Sequence, residues 1–195
     1  MTSEEAERNA IGSDLLRHLG EEAGRLSRIL FGWSALRLRL NPAARISPED
    51  LVQETWSRAI AATTSGRADL PTTANARAWL IGIARHVILE ELRRPGSFAA
   101  QPESSTRFPG DVIDTVTSIC TRLQRDELVE RFLGFADGLE EADRQLLVRC
   151  ALEGGRPEEV APRIALEPDS AVRRWHRLRE RLREAGWEQR LGLGS

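Results

Sequence analysis

Apolar residues recur along most of this chain at the three-to-four-residue spacing of a helix, and no stretch sustains the alternation of a strand. Leu15, Leu16, Leu19, Leu26, Ile29 and Leu30 predict one or two helices between Ser13 and about Leu40, ended by Asn41-Pro42. Ser47-Pro48-Glu49-Asp50 then reads as a helix start. Ser47 supplies a capping hydroxyl, Pro48 suits the first helical position, and the two carboxylates complement the dipole. The helix it opens, to about Ala62, places Leu51, Val52, Thr55, Trp56, Ala59 and Ile60 on one face. Asp50, Gln53, Glu54, Ser57 and Arg58 lie on the other.

Gly66, Pro71 and four threonines make Thr63–Ala74 a loop. A second helix is predicted from about Asn75 to Arg94, stopped by Pro95-Gly96. Its apolar face is Trp79, Leu80, Ile83, Ala84, Val87 and Ile88, and its far side carries Gly82, Arg85, His86, Leu89 and Arg93. The stretch from Ser97 to about Thr121 carries Pro102, Pro109, Gly110 and a Ser/Thr cluster and reads as a linker, with a short amphipathic element around Val112–Ile119. Helical periodicity returns at about 122–137, 141–153, 157–165 and 168–185.

The expected fold class is therefore all-α, with two small helical domains, 1–96 and 122–195, joined by a flexible linker, 97–121. Tyr is absent and Val and Thr are sparse, which disfavours a sheet.

Charge sharpens the picture in one place. All 28 basic residues are Arg, and the net charge is only −2. Yet Ala171–Arg183 holds six Arg against one Glu. On that last helix Ala171, Trp175, Leu178 and Leu182 form one stripe, opposite Arg173, His176, Arg177 and Glu180, with Arg174 and Arg181 flanking. A basic amphipathic helix after a tight turn has the form that enters a DNA major groove. An arginine-rich surface helix laced with salt bridges has the same pattern, and Glu180 lies three residues from both Arg177 and Arg183.

Other chemistries are poorly represented. There is no Gly-rich phosphate loop, no nucleophile elbow, and no cluster of His with carboxylates, so an enzyme is not expected. His18, His86 and His176 lie far apart, and Cys120 and Cys150 are too few for a disulfide scaffold. No metal and no cofactor are expected. No apolar run approaches the roughly 20 residues of a membrane span, and the acidic N-terminus lacks a signal-like pattern, so no membrane insertion and a cytoplasmic location are expected.

Two segments carry a family resemblance. Ser47-Pro-Glu-Asp-Leu-Val-Gln-Glu-Thr-Trp-Ser-Arg-Ala59 and Ala76-Arg-Ala-Trp-Leu-Ile-Gly-Ile-Ala-Arg-His-Val-Ile-Leu-Glu-Glu-Leu-Arg-Arg94 resemble, in order and spacing, region 2 of sigma-70-family RNA polymerase sigma factors. Leu139–Leu147, Glu153-Gly154, Glu158–Ala161 and Arg173–Leu182 resemble region 4 of the same family. With no room for a full region 3, the pattern is similar to the small extracytoplasmic-function (ECF) class.

The resemblance implies a protein that binds core RNA polymerase through Asp50, Leu51, Gln53 and Glu54. It implies contact with the melted −10 strand through the 63–74 loop, Arg77, Arg85, His86 and Arg93. A helix-turn-helix would read the −35 element with Ser170, Arg173, Arg174, His176 and Arg177. It also implies an anti-sigma factor as a further partner. His86 stands where the family often has Asn, Pro162 falls inside the first helix of the second motif, and Ala165 takes the turn position where Gly is common.

Overall fold

The computed structural model describes residues 3–65, 70–93 and 126–191, with side chains from Gly12 onward. The expected linker, the element around Val112–Ile119, Cys120 and part of the 63–74 loop lie outside the described residues. The described residues form helices and turns without a strand, as an all-α chain requires.

Helix α1 (Ser3–Glu21) and α2 (Ala23–Arg39) share the N-terminal stretch; α3 (Pro48–Thr64) and α4 (Ala76–Arg93) follow. Beyond the undescribed segment come α5 (Glu127–Asp137), α6 (Glu141–Leu146), α7 (Pro157–Val160), α8 (Pro168–Glu184) and a short α9 (Trp187–Leu191). The periodicity places these helices well but overlooks α9, whose five residues are too few to show a period.

Local chemistry explains the ends. The Ser47 hydroxyl accepts the Asp50 amide at 3.0 Å, which satisfies one of the orphan donors at the start of α3. Asp126 caps α5 by accepting the Leu128 amide at 2.9 Å. The expected helix 141–153 is split. After Leu146 its backbone widens to a π-helical stretch, Leu147–Leu152, where the Glu153 amide reaches back five residues to the Val148 carbonyl at 3.0 Å. Gly154, at φ 76°, ends it.

Pro162 cuts short the first helix of the second motif. Helix α7 gives way after Val160 to a tighter 3₁₀ turn, Ala161–Ile164. Ala165 then adopts φ 54°, a left-handed conformation that disfavours a side chain.

Leu51, Val52, Trp56, Ala59, Ile60, Leu80, Ala84, Val87 and Ile88 are all buried, as their spacing predicts. The face of α4 is rotated slightly, however. Ile81 is buried, while Trp79 and Ile83 are only half-buried. On α8, likewise, Ala171, Leu178 and Leu182 are buried and Trp175 is half-buried.

The core does not divide where the undescribed segment falls. Every residue from Ile29 to Leu36 is buried, so this stretch of α2 has no solvent face. Helices α3 and α4 cover part of it, and α5, the π-helical stretch and α9 pack against it from the C-terminal half. A methyl group on Gly32 would sit 3.2 Å from the Phe132 ring, so the backbone of α2 and α5 meet closely there. Phe132 is in turn edge-on to Trp187, with ring centroids 5.4 Å apart.

Candidate nucleic-acid and polymerase interface

Helix α3 carries the first predicted set on its opening two turns. Asp50 and Gln53 are exposed. Asp50 accepts the Ser47 hydroxyl at 2.9 Å, which fixes its carboxylate beside the helix start. Glu54 is half-buried and accepts from Arg58 Nε at 2.7 Å. Leu51 is fully buried. It differs in this from the rest of the predicted docking set, because its position on α3 faces inward with Val52 and Thr55. Asp50, Gln53 and Glu54 remain on the outer surface.

Arg58 is the centre of a small charged network. Its Nη atoms donate to both Glu90 oxygens at 3.0 and 2.8 Å while Nε holds Glu54. Those bonds lift its pKa even further above the ordinary arginine value, against the opposing effect of burial. The network ties α3 to α4 and leaves Arg58 committed.

Helix α4 presents Gly82, Arg85, His86, Leu89 and Arg93 outward, all exposed. Leu89 is 45% exposed and Leu92 40%. Arg85, His86 and Arg93 lie within about 100° of one another around the axis. Arg77, the fourth member of the predicted set, is half-buried. Burial, with repulsion from Arg25, lowers its pKa. Arg77 and Arg93 are about 24 Å apart along the helix, and Arg77 lies about 180° around the axis from His86, so Arg77 does not share the outward face of the other three.

The third set lies on α8. Arg173, His176 and Arg177 are exposed, and Ser170 is half-buried and accepts from Arg173 Nη2 at 3.2 Å. Arg174 is different. Its Nη1 donates at 2.9 Å to both Glu140 and Asp143, and these bonds raise its pKa. In this structure Arg174 fastens α8 to the start of α6. Arg183 approaches Glu180 at 4.0 Å, so one of the two expected partners of Glu180 is observed.

Sequence reasoning missed a cluster between α2, α4 and the C-terminal half. The Trp33 indole donates to Glu153 Oε1 at 3.0 Å. Arg37 approaches the same oxygen at 4.0 Å and Arg85 approaches Oε2 at 3.7 Å. Glu153 is only 7% exposed, so three donors converge on a nearly dry carboxylate. Arg28 bonds Asp126 at 2.8 Å, and Arg39 pairs with Asp137. The signal available was the run Ile29-Leu-Phe-Gly-Trp-Ser-Ala-Leu36, too apolar for a helix with a solvated face.

No group of three or more metal-ligating side chains occurs among the described residues, and no described helix is long and apolar enough to cross a membrane. Cys150 is buried, and burial together with Glu158 and Glu153 pushes its thiol up to about 12, which disfavours the reactive thiolate.

Helices α3 and α4, tied by the Arg58 network and offering one acidic and one basic face, have a counterpart among known families. Residues 34–97 match the family model for Sigma-70 region 2. The match covers about a third of the chain, from the middle of α2 through α4. It supports a sigma-70 family relationship and contains both the α3 and the α4 sets. Nothing matches among curated proteins or among solved structures.

Proposed function

We propose that this chain is an ECF-type sigma factor that binds core RNA polymerase and directs promoter-specific transcription initiation. The observation that carries the reading is the Sigma-70 region 2 match, falling on helices that offer Asp50, Gln53 and Glu54 on one outer face and Arg85, His86 and Arg93 on another. The first face docks on the polymerase. The second meets the −10 strand, with arginines for phosphate and exposed leucines beside them for bases. The α7–turn–α8 unit acts as a helix-turn-helix, with Arg173, His176 and Arg177 entering the major groove at the −35 element. The protein performs no chemistry itself and works in the cytoplasm. An anti-sigma factor that covers these faces is its regulatory partner.

The test is run-off transcription with purified core polymerase on a pooled promoter library, with and without the protein. Transcripts that depend on the protein and share two sequence elements are expected. Arg173→Ala with Arg177→Ala should weaken −35 recognition by about 1–3 kcal/mol per true base contact, and should reduce the salt slope by about one for each arginine that had neutralised a phosphate. Helix stability should be unchanged, because both side chains are exposed. Absence of transcripts despite a stable polymerase complex would favour a second reading, an interaction module. The engagement of Arg85 and Arg174 by carboxylates of the chain itself favours that reading.

A further inference from the structure

A cavity of about 110 Å³ opens where α4 faces the C-terminal half, lined by Arg85, Arg149, Glu153, Gly155, Glu159, Val160 and Arg163. A water needs only about 10–15 Å³ by the same measure, so the space admits an oxyanion with part of its hydration. Three arginines line it, one from α4 and two from the C-terminal half. Glu153 is already engaged by Trp33 and Arg37 as well as Arg85. Arg149 is anchored through Nε to the Gln145 side chain at 3.1 Å, which leaves its terminal nitrogens for another acceptor. Arg163 is exposed and has no ion pair among the described residues.

The cluster is short of negative charge. Burial lowers the pKa of Arg37 first; Glu153 opposes this, and repulsion from Arg149, Arg85 and Arg163 reinforces it. Arg37 and Arg85 pair with Glu153, and Arg149 and Arg163 line the same cavity, so four guanidinium groups stand against Glu153 and Glu159. Guanidinium forks match phosphate oxygens in geometry and charge. Gly155 packs closely against the backbone that carries Arg149: its amide donates to the Arg149 carbonyl at 2.8 Å, and a methyl group there would lie 2.8 Å from the same oxygen.

We propose that this cavity is a phosphate-binding site that joins the two halves of the chain, with Arg85 on one side and Arg149 and Arg163 on the other. The bound group is a phosphate-class oxyanion, carried by a free polyphosphate or by a nucleic-acid backbone. Arg85 also belongs to the face proposed above for the −10 strand, so the oligonucleotide arm below bears on both readings, whereas pyrophosphate binding and Arg163, which lies outside that face, test this site alone.

Thermal unfolding of the full chain tests it, with pyrophosphate in one arm and a short single-stranded oligonucleotide in the other, each against chloride at matched ionic strength. Saturable stabilisation of roughly 3 to 6 °C at tenfold excess over the dissociation constant is expected. Arg163→Gln and Arg85→Gln should each weaken that binding by roughly tenfold or more, while Arg183→Gln on the far helix should not. Arg163 is exposed, so its variant keeps the fold, which circular dichroism checks. Stabilisation by pyrophosphate that both variants lose identifies a free polyphosphate as the source. Stabilisation by the oligonucleotide alone, lost in the same variants, identifies the backbone. No saturable shift in either arm, or a shift that survives in both variants, overturns the site.

Discussion

The two halves of the molecule use arginine in opposite ways. Among the described residues, every ion pair between α1–α4 and α5–α9 has its arginine in the N-terminal half and its carboxylate in the C-terminal half: Arg28–Asp126, Arg37–Glu153, Arg39–Asp137 and Arg85–Glu153. The C-terminal half gives no arginine to these pairs, and on α8 its Arg173 and Arg177 face solvent. One half thus lends cations to the junction, and the other lends anions. Formal net charge near zero conceals this division. It also places Arg85, a residue of the predicted −10 set, on a carboxylate of the same chain.

The comparison breaks most severely if the apolar part of the junction is removed. Phe132 is 1% exposed and stands between α2 and Trp187. Phe132→Ala should cost about 3–5 kcal/mol, the usual range for deleting a buried aromatic ring. Because the buried cluster is continuous across both halves, the native protein should melt in one cooperative transition. Calorimetry that resolves two independent transitions in the native chain would show that the halves do not share a core.

Next comes the polar centre. Glu153→Gln keeps an acceptor for the Trp33 indole but removes the charge that faces Arg37 and Arg85. A loss of roughly 1.5–3 kcal/mol is expected, because Arg37 is left partly buried without its counter-ion. The same substitution should free Arg85. Binding to single-stranded −10 DNA should then tighten even as stability falls, a pairing that separates this role from simple damage to the fold. Denaturant melts and DNA titrations on one preparation check both signs.

A smaller effect is expected at Asp126, which both caps α5 and holds Arg28. Burial raises its pKa, but the Arg28 bond and the Leu128 and Val129 amides outweigh that, and the net shift is downward. A carboxylate with a lowered folded pKa stabilises fully above its unfolded value of about 3.9, and the contribution is lost as pH falls through the folded value. Asp126→Ala should therefore cost about 1 kcal/mol at neutral pH, mostly from the cap, since the Arg28 pair is partly exposed and screened. The gap between native and variant stability should close below about pH 4. A gap that stays constant down to pH 2 would mean that charge plays no part.

How far the sequence reaches is clear from particular residues. Ser47-Pro48 specifies its helix start locally, because the cap, the proline and the first-turn carboxylates all act within four residues. The inward set from Leu51 to Ile60 is legible because one helix face is covered and the other is wet. For Leu51 two signals conflict: motif position points to the docking face, helical periodicity points inward, and the structure sides with periodicity. Glu153 is harder still. Its three partners lie on α2 and α4, far away in sequence, and the π-helical turn that aims it leaves no periodic mark. Gly32 likewise gains its meaning only from Phe132.

Ala165 is where a local reading anticipates strain. The turn position is one where glycine is common, and the structure gives alanine there φ 54°. A left-handed backbone costs a residue with a Cβ about 1–2 kcal/mol. Glycine relieves this but adds unfolded-state freedom worth about 0.4–1 kcal/mol. Ala165→Gly should therefore stabilise by a few tenths to about 1 kcal/mol, a smaller effect than the others and the only gain. Its location makes it informative, because it lies between Pro162 and the basic helix. If the strain serves to hold the Ala161–Ile164 turn tight and to aim α8, the more stable variant should bind −35 DNA less well. If DNA affinity is unchanged while the melting temperature rises, the alanine is merely tolerated, and the direction of α8 is set instead by Arg174 on Glu140 and Asp143.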